Sequence, residues 1–382
     1  MVAENAVVEL RELVGIPSEN PPGDEEAVAA YLVDRFEDSP VPFRVEIREI
    51  EPGRPNVVAR AGDPDRGSLL LTGHTDVVPA DPAEWTGDPF ELREDDGQLY
   101  GRGTADMKGA IAAQLAAAEA YLSTHDAPGE VILAYVVDEE RTGDGTAALV
   151  DRGLRADAAV LGEPTDLGLG LAHFGSVRYT VTVEGRRSHA ARPGEGTNAI
   201  EGLRQVLDRL RALDDEVRAA DHRYLDDQSV TPTVLDSGPG GNVIPARASV
   251  VVDWRFHPGP VDPEPFERRL REALAGVSID GDPATVAFDR IQFTRGAEIP
   301  PDEPIVAAVE GAAADRGRPV EPFGCNYGAD TPHLIYDGGI PTVLFGPGNI
   351  DDAHSPDESI RAADLRTATR VYERTIERFF GD

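Results

Sequence analysis

The stretch VILAYVVDEE, residues 131–140, carries seven apolar or aromatic residues straight into Asp138, Glu139 and Glu140. The apolar run reads as a buried strand. Side chains alternate across a strand, so Asp138 and Glu140 are expected on one side and Glu139 on the other unless the chain turns there. Carboxylates crowded into a cleft repel, and they either take up protons or hold a cation. The residues around this strand decide which.

RVEIREI, NVVARAG and SLLLTGH read as strands before it, GAIAAQLAAAEAYL as a helix, and AAVLGEP as a strand after it. Short apolar strands alternating with helices describe an α/β domain whose central sheet is covered on both faces. At residue 174 the pattern changes: SVRYTVTVEG sets Val177, Tyr179, Val181 and Val183 on one face of a half-exposed strand. A helix with Ile200, Leu203, Leu207 and Leu210 at helical spacing follows. Then come strands in SVTPTVLDSG and ASVVVDWRF, a helix in FERRLREAL and a strand in ATVAFDRIQF. Strand, helix, strand, strand, helix, strand is a split βαβ sandwich. The α/β rhythm then resumes with a helix in EPIVAAVEGAAADRG, the strand IPTVLFGPG and the helix LRTATRVYERTIERFF. The expected organisation is a discontinuous domain, 1–173 and 291–382, with 174–290 inserted.

The charge balance is unusual. Asp and Glu number 70 against 36 basic residues, a net charge of −34, and Lys108 is the one lysine. An acidic surface that uses Arg in place of Lys stays hydrated where salt screens charge, which points to a salt-adapted, halophilic setting. The same charge argues against nucleic acid or an anionic membrane as partner. Cys325 is the one cysteine, so no intrachain disulfide forms. No apolar run approaches a membrane span, and the N-terminal MVAENAVVELRELVGI is an acidic amphipathic helix pattern without a basic leader. The expected location is the cytoplasm.

In open α/β sheets ligands bind beyond the carboxyl ends of the strands. Four apolar strands run into candidate ligands there: LLLTGHTD into His74 and Asp76, VILAYVVDEE into Glu139 and Glu140, AAVLGEPT into Glu163, and IPTVLFGPGNIDDAH into His354. Asp106 lies in GRGTADMKG, a Gly-rich turn before a helix. Singly each has a plainer reading: a structural histidine, a solvated acidic turn, a helix cap for Asp106. Jointly they form the N/O ligand set that suits zinc and its neighbours, with cobalt and manganese as alternatives. Two histidines and three carboxylates exceed one tetrahedral catalytic site. If one carboxylate bridges, they divide between two divalent ions, and Glu139 is left to act as base. GRGTAD also starts like a dinucleotide loop, but an acid stands at 106 where the third Gly belongs.

HTD, GRGTADMKG, the DEE strand end, GEPT and AHSPDE, in this order, resemble the metallopeptidase and deacylase family that contains acetylornithine deacetylase, succinyl-diaminopimelate desuccinylase, aminoacylase and carboxypeptidase G2, the M20 family. The resemblance spans nearly the whole chain. It implies a zinc-peptidase-like catalytic domain with a mixed central sheet, and an inserted α+β sandwich that serves as lid and homodimer interface. His74, Asp106 and Glu163 would bind one zinc and Asp106, Glu140 and His354 the other, with Asp106 bridging. Asp76 would orient His74, and Glu139 would be general base and acid. In the insert, GRRSHAARPGEGTNAI resembles the stretch that offers a histidine, here His189, to the partner subunit's oxyanion. GGNVIP and DWRFHP resemble segments whose Asn242 and Arg255 hold a substrate carboxylate. Gly328 is expected to permit close backbone approach, and Asp330 to touch substrate. Cys325 reads as packing. The implied reaction is hydrolysis of a linear amide in a small N-acyl amino acid, of the acetylornithine or succinyl-diaminopimelate type. The rivals are a dipeptidase or carboxypeptidase with the same metals, and a non-catalytic binding protein stabilised by a cation.

Overall fold

A computed structural model describes residues 2–125, 129–259 and 261–381; Met1 and Asp382, the outer ends of the expected catalytic domain, lie outside them. The chain forms two compact units, one of Met1–Leu171, Ile299–Phe323 and Ala329–Asp382, the other of Ala172–Glu298 and Gly324–Gly328.

The first unit begins with helices α1 (Val2–Val14) and α2 (Glu26–Glu37), strands β1 (Arg44–Glu51), β2 (Arg54–Ala61) and β3 (Asp63–His74), and the short strands β4 (Arg93–Asp95) and β5 (Gln98–Tyr100). Helix α3 (Gly109–Thr124), strand β6 (Gly129–Val136), helix α4 (Asp144–Asp151) and strands β7 (Ala158–Leu161) and β8 (Leu169–His173) follow. The second unit contains β9 (Gly175–Glu184), β10 (Ser188–His189), α5 (Ala199–Val217), β11 (Ser229–Ser237), β12 (Val243–Ile244) and β13 (Arg247–Phe256). It continues through α6 (Glu264–Leu274), the small hairpin β14 (Ser278–Ile279) and β15 (Asp282–Pro283), β16 (Thr285–Thr294) and β17 (Ala297–Glu298). The chain ends with α7 (Pro304–Asp315), β18 (Pro322–Cys325), β19 (Thr342–Leu344), β20 (Ser359–Arg361) and α8 (Ala362–Phe380).

The central sheet of the first unit is mixed. Strands β6, β3, β7 and β19 lie side by side and parallel, while β2 joins β6 and β1 joins β2 antiparallel. Every residue of β6 and β7 is buried, as strands with both faces covered must be. Helix α3 is alanine-rich and buried almost all round, because small side chains let it pack closely against α1 and α8. The four parallel strands share one direction, so their carboxyl ends open at one edge of the sheet, where the sequence had placed its candidate ligands.

The second unit is an antiparallel four-stranded sheet in the order β11-β13-β9-β16. Its apolar face, with Tyr179, Val181, Val252 and Trp254, forms one core with Leu203, Val206 and Leu210 of α5 and Phe266 and Leu270 of α6. The edge strand β11 leaves Val234 57% and Leu235 61% exposed. The unit runs past the expected boundary at 290 because β16 stays paired with β9 as far as Thr294 opposite Ser176. Residues 324–328, expected in the first domain, group here as well. Gly324 approaches the Tyr224 backbone so closely that a Cβ would lie 2.5 Å from its carbonyl oxygen.

Candidate metal centre

Strand β6 ends at Val136, and the next three acids do not continue its alternation. Asp138 takes φ +70°, so the chain turns, and Glu139 and Glu140 lie in that turn. Asp138 points into a buried network: its Oδ1 accepts from Arg54 Nη1 at 2.7 Å and Asn20 Nδ2 at 3.0 Å, and its Oδ2 from Thr142. Arg54 also pairs with the buried Glu25. The turn, the alternative that strand alternation left open, is what the chain adopts here.

His74, at the end of β3, donates its Nδ1–H to the backbone oxygen of Asp76 at 2.9 Å, while the Asp76 carboxylate stands 3.6 Å away. That carboxylate receives Asn20 Nδ2 at 2.9 Å and the backbone N–H groups of Glu139 and Glu140 at 3.3 and 3.2 Å. The Asp76 carbonyl thus contacts the His74 ring, and its carboxylate accepts from the turn that carries Glu139 and Glu140.

Asp106 is buried and divides its oxygens. Oδ1 lies 2.9 Å from His74 Nε2 and Oδ2 lies 3.3 Å from His354 Nε2. His354 Nε2 is also 3.0 Å from Glu140 Oε2. Among the described residues, His74, Asp106 and Glu140 present ligand atoms all within 4.8 Å of one another. Glu163 is buried just beyond β7, and its Oε1 has no hydrogen-bond partner among the described residues. Glu139 reaches to 3.9 Å from His74 Nε2.

Two glycines make room for this arrangement. A Cβ at Gly73 would sit 2.1 Å from Met107 Cε, and one at Gly162 would sit 2.8 Å from the same atom. The Met107 side chain fills the space over two strand ends, each glycine directly preceding a candidate ligand, His74 or Glu163.

The electrostatics suit a cation. Burial drives the Glu139 and Glu163 carboxyls well above the usual range, and neighbouring carboxylates add to the effect. Burial likewise raises Glu140. Burial works against the charged form of Asp106, but hydrogen bonds from His354 and His74 outweigh it and lower that carboxyl. The Asp106 and Glu140 carboxylates push His354 up to about 10. An unpartnered buried carboxylate oxygen beside two imidazoles and three further acids is a donor set that fits divalent metal.

Asp330 lies in the first unit, buried, accepting from Thr146 Oγ1 at 2.5 Å. His189, Asn242, Arg255 and Gly328 belong to the second unit. There β10 and β12 form a two-stranded ribbon that brings His189 and Asn242 together, with Ala190 N donating to Asn242 O at 3.0 Å. Arg255 pairs with Asp253 at 2.7 Å. Among the described residues, a Cβ at Gly328 would meet Thr294 Cγ2 at 4.0 Å and nothing closer, so they make no close approach there. The sequence itself does not single out Asn20, Glu25, Arg54, Arg102 and Glu358, all linked to the ligand-bearing loops by hydrogen bonds; the NPP and SPDE runs mark turns but carry no signal of those partners.

A family model described as peptidase family M20/M25/M40 matches residues 70–378. Acetylornithine deacetylase of Pectobacterium atrosepticum is 32% identical over 344 residues, covering 88% of this chain and 87% of the relative. Its counterpart from Erwinia tasmaniensis is 33% identical over 345 residues, with 88% and 87% covered. Among solved structures, a Staphylococcus aureus tripeptidase superposes with a TM-score of 0.81 at 20% identity, over 100% of this chain and 99% of that one. A Bacillus subtilis protein described as a dinuclear metal binding peptidase from the M20 family gives 0.72 at 17% identity, over 98% and 97%. The likeness to these structures is one of fold.

Proposed function

The chain belongs to peptidase family M20/M25/M40, a hydrolase acting on amides, and from that premise we propose that it removes the acyl group from a small N-acyl amino acid. The observation that carries this reading is the division of the Asp106 carboxylate between His74 and His354, beside the unpartnered Glu163 oxygen. Two divalent ions, zinc in the first place, would be held by His74, Asp106 and Glu163 and by Asp106, Glu140 and His354. When bound, they would polarise the scissile carbonyl and acidify the attacking water.

The chain's own residues do the rest. Glu139 takes the proton of the attacking water on its carboxylate and delivers it to the nitrogen of the leaving amine as the C–N bond breaks. Its half-buried position, with a raised carboxyl, suits a group that must hold a proton between those two steps. His189 accepts the Ala191 N–H at Nδ1, at 3.0 Å, which places the proton of the neutral ring on Nε2 and leaves that nitrogen as a donor. We assign it to the developing oxyanion of a partner subunit's site. Asn242, which directly precedes β12, and Arg255 are assigned to the substrate carboxylate, and Asp330 to the substrate's side chain. The exposed Val234 and Leu235 on the edge strand β11 support a homodimer formed through the second unit. No helix among the described residues is long and apolar enough to cross a membrane, and the cytoplasm is the proposed location.

The test is a metal analysis of the purified protein with a parallel assay on acetylornithine, succinyl-diaminopimelate and dipeptides. Turnover of an acylated amino acid with bound divalent metal supports the reading. Hydrolysis of dipeptides alone would replace it with a peptidase, and no hydrolysis with metal retained would leave a binding protein.

A further inference from the structure

We propose that Glu358 is a positioning residue that ties together the two loops carrying Asp106 and His354, and so sets the spacing of the metal centre. The inference rests on the two-metal reading above. Glu358 is buried, and its carboxylate accepts four hydrogen bonds. Oε2 receives Arg102 Nη1 at 2.6 Å and Gly103 N at 3.0 Å; Oε1 receives Ala105 N at 2.8 Å and Asp106 N at 3.0 Å. The backbone helps: Glu358 O accepts from Gly101 N at 3.0 Å, and β20, which follows Glu358, pairs antiparallel with β5, which precedes Gly101.

The geometry makes this more than a buried ion pair. Three of the four donors are main-chain amides of the turn itself, and one of them is the amide of Asp106. An oxygen bonded to that amide fixes where the Asp106 side chain starts. Four residues before Glu358, in the turn that leads into β20, stands His354, whose ring must meet the other Asp106 oxygen. One carboxylate therefore controls both partners of the Asp106–His354 contact without touching metal or substrate. Both of its oxygens are needed as acceptors. An amide at this position has one acceptor and one donor group, so either the Arg102 and Gly103 donors or the Ala105 and Asp106 amides would face an NH2.

The experiment compares Glu358→Gln and Arg102→Gln with the wild-type protein. Affinity for Zn2+ and Co2+ is measured on metal-depleted protein by competition with a chromophoric chelator, together with the visible spectrum of the Co2+ form and the unfolding midpoint without metal. The expected result for Glu358→Gln is metal binding weakened ~10–100-fold with an altered Co2+ spectrum. Arg102→Gln, which keeps the three amide bonds, is expected to bind metal within a few-fold of wild type, whatever its midpoint. Wild-type affinity and spectrum in Glu358→Gln would overturn the proposal, as would a loss in Arg102→Gln as large as in Glu358→Gln. If Glu358→Gln does not fold, Glu358→Asp, which keeps both oxygens but withdraws them by one methylene, takes its place under the same outcomes. A wild-type protein that binds neither ion would instead sink the two-metal reading.

Discussion

Asp106 faces two histidines with two different oxygens, Oδ1 at 2.9 Å from His74 Nε2 and Oδ2 at 3.3 Å from His354 Nε2. A carboxylate that turns one oxygen to each side can serve as a ligand to two ions at once. Replacing Asp106 with Asn leaves a single acceptor oxygen, so at most one of the two sites keeps this ligand. The expected outcome is a metal content that falls below two per chain and loss of hydrolysis, read by elemental analysis of dialysed protein. Two retained ions in Asp106→Asn would remove the bridging assignment.

Glu139 lies in the turn held by the Asp76 carboxylate and binds no metal in the proposed arrangement. Glu139→Gln keeps its shape and removes its basicity. Hydrolysis is expected to fall about 10²–10⁴-fold while metal content stays unchanged. Wild-type kcat in this variant would show that the proton moves through another group.

Gly73 and Gly162 test the packing behind the ligands. A Cβ at either position collides with Met107 Cε, at 2.1 and 2.8 Å. Gly73→Ala is expected to destabilise the protein by about 1–3 kcal/mol through overpacking. Combining it with Met107→Ala should cost less than the sum of the two single changes, because the second removes the obstacle the first meets. Strict additivity in chemical denaturation would contradict the account.

Burial holds the ring of His173 down to about 4, against 6.5 in the unfolded chain. The folded state therefore prefers the neutral ring. The stability this contributes is present in full above pH 6.5 and is lost as pH falls from there through about 4, on the order of 3 kcal/mol in total. Asn can donate to the Phe174 carbonyl that His173 Nδ1 meets at 3.0 Å, and it does not titrate. His173→Asn should flatten the decline of unfolding free energy across that window. An equally steep decline would assign it to other groups.

The one lysine, Lys108, is fully buried, with Nζ on the carbonyls of Leu13 at 3.0 Å and Ile16 at 2.8 Å. The surface cations among the described residues are thus arginines set against a net charge of −34. Such a surface repels itself when unscreened. The unfolding midpoint is expected to rise steadily with KCl from low to molar concentration. A midpoint independent of salt would dissociate the composition from salt adaptation.

Much of the architecture was legible in the sequence because it rests on local patterns. Apolar runs leading toward His74, Glu140 and Glu163 identify strands, and their shared direction follows from the helices between them, so the candidate ligands collect at one sheet edge before any coordinate is known. The alternation of Val177 to Val183 likewise marked the half-exposed sheet of the second unit. What only the tertiary structure decided is how the polar groups behind those ligands are satisfied. Asp138 turns away at φ +70° to Arg54 and Asn20, and Asp76 lends its carbonyl to His74 and its carboxylate to the Glu139–Glu140 turn. Glu358 meets amides some 250 positions away, with separations of 252 to 256 residues. Periodicity records which face of an element is buried. It holds no record of which distant donor a buried carboxylate finds, because that choice is made by the packing that brings the two together.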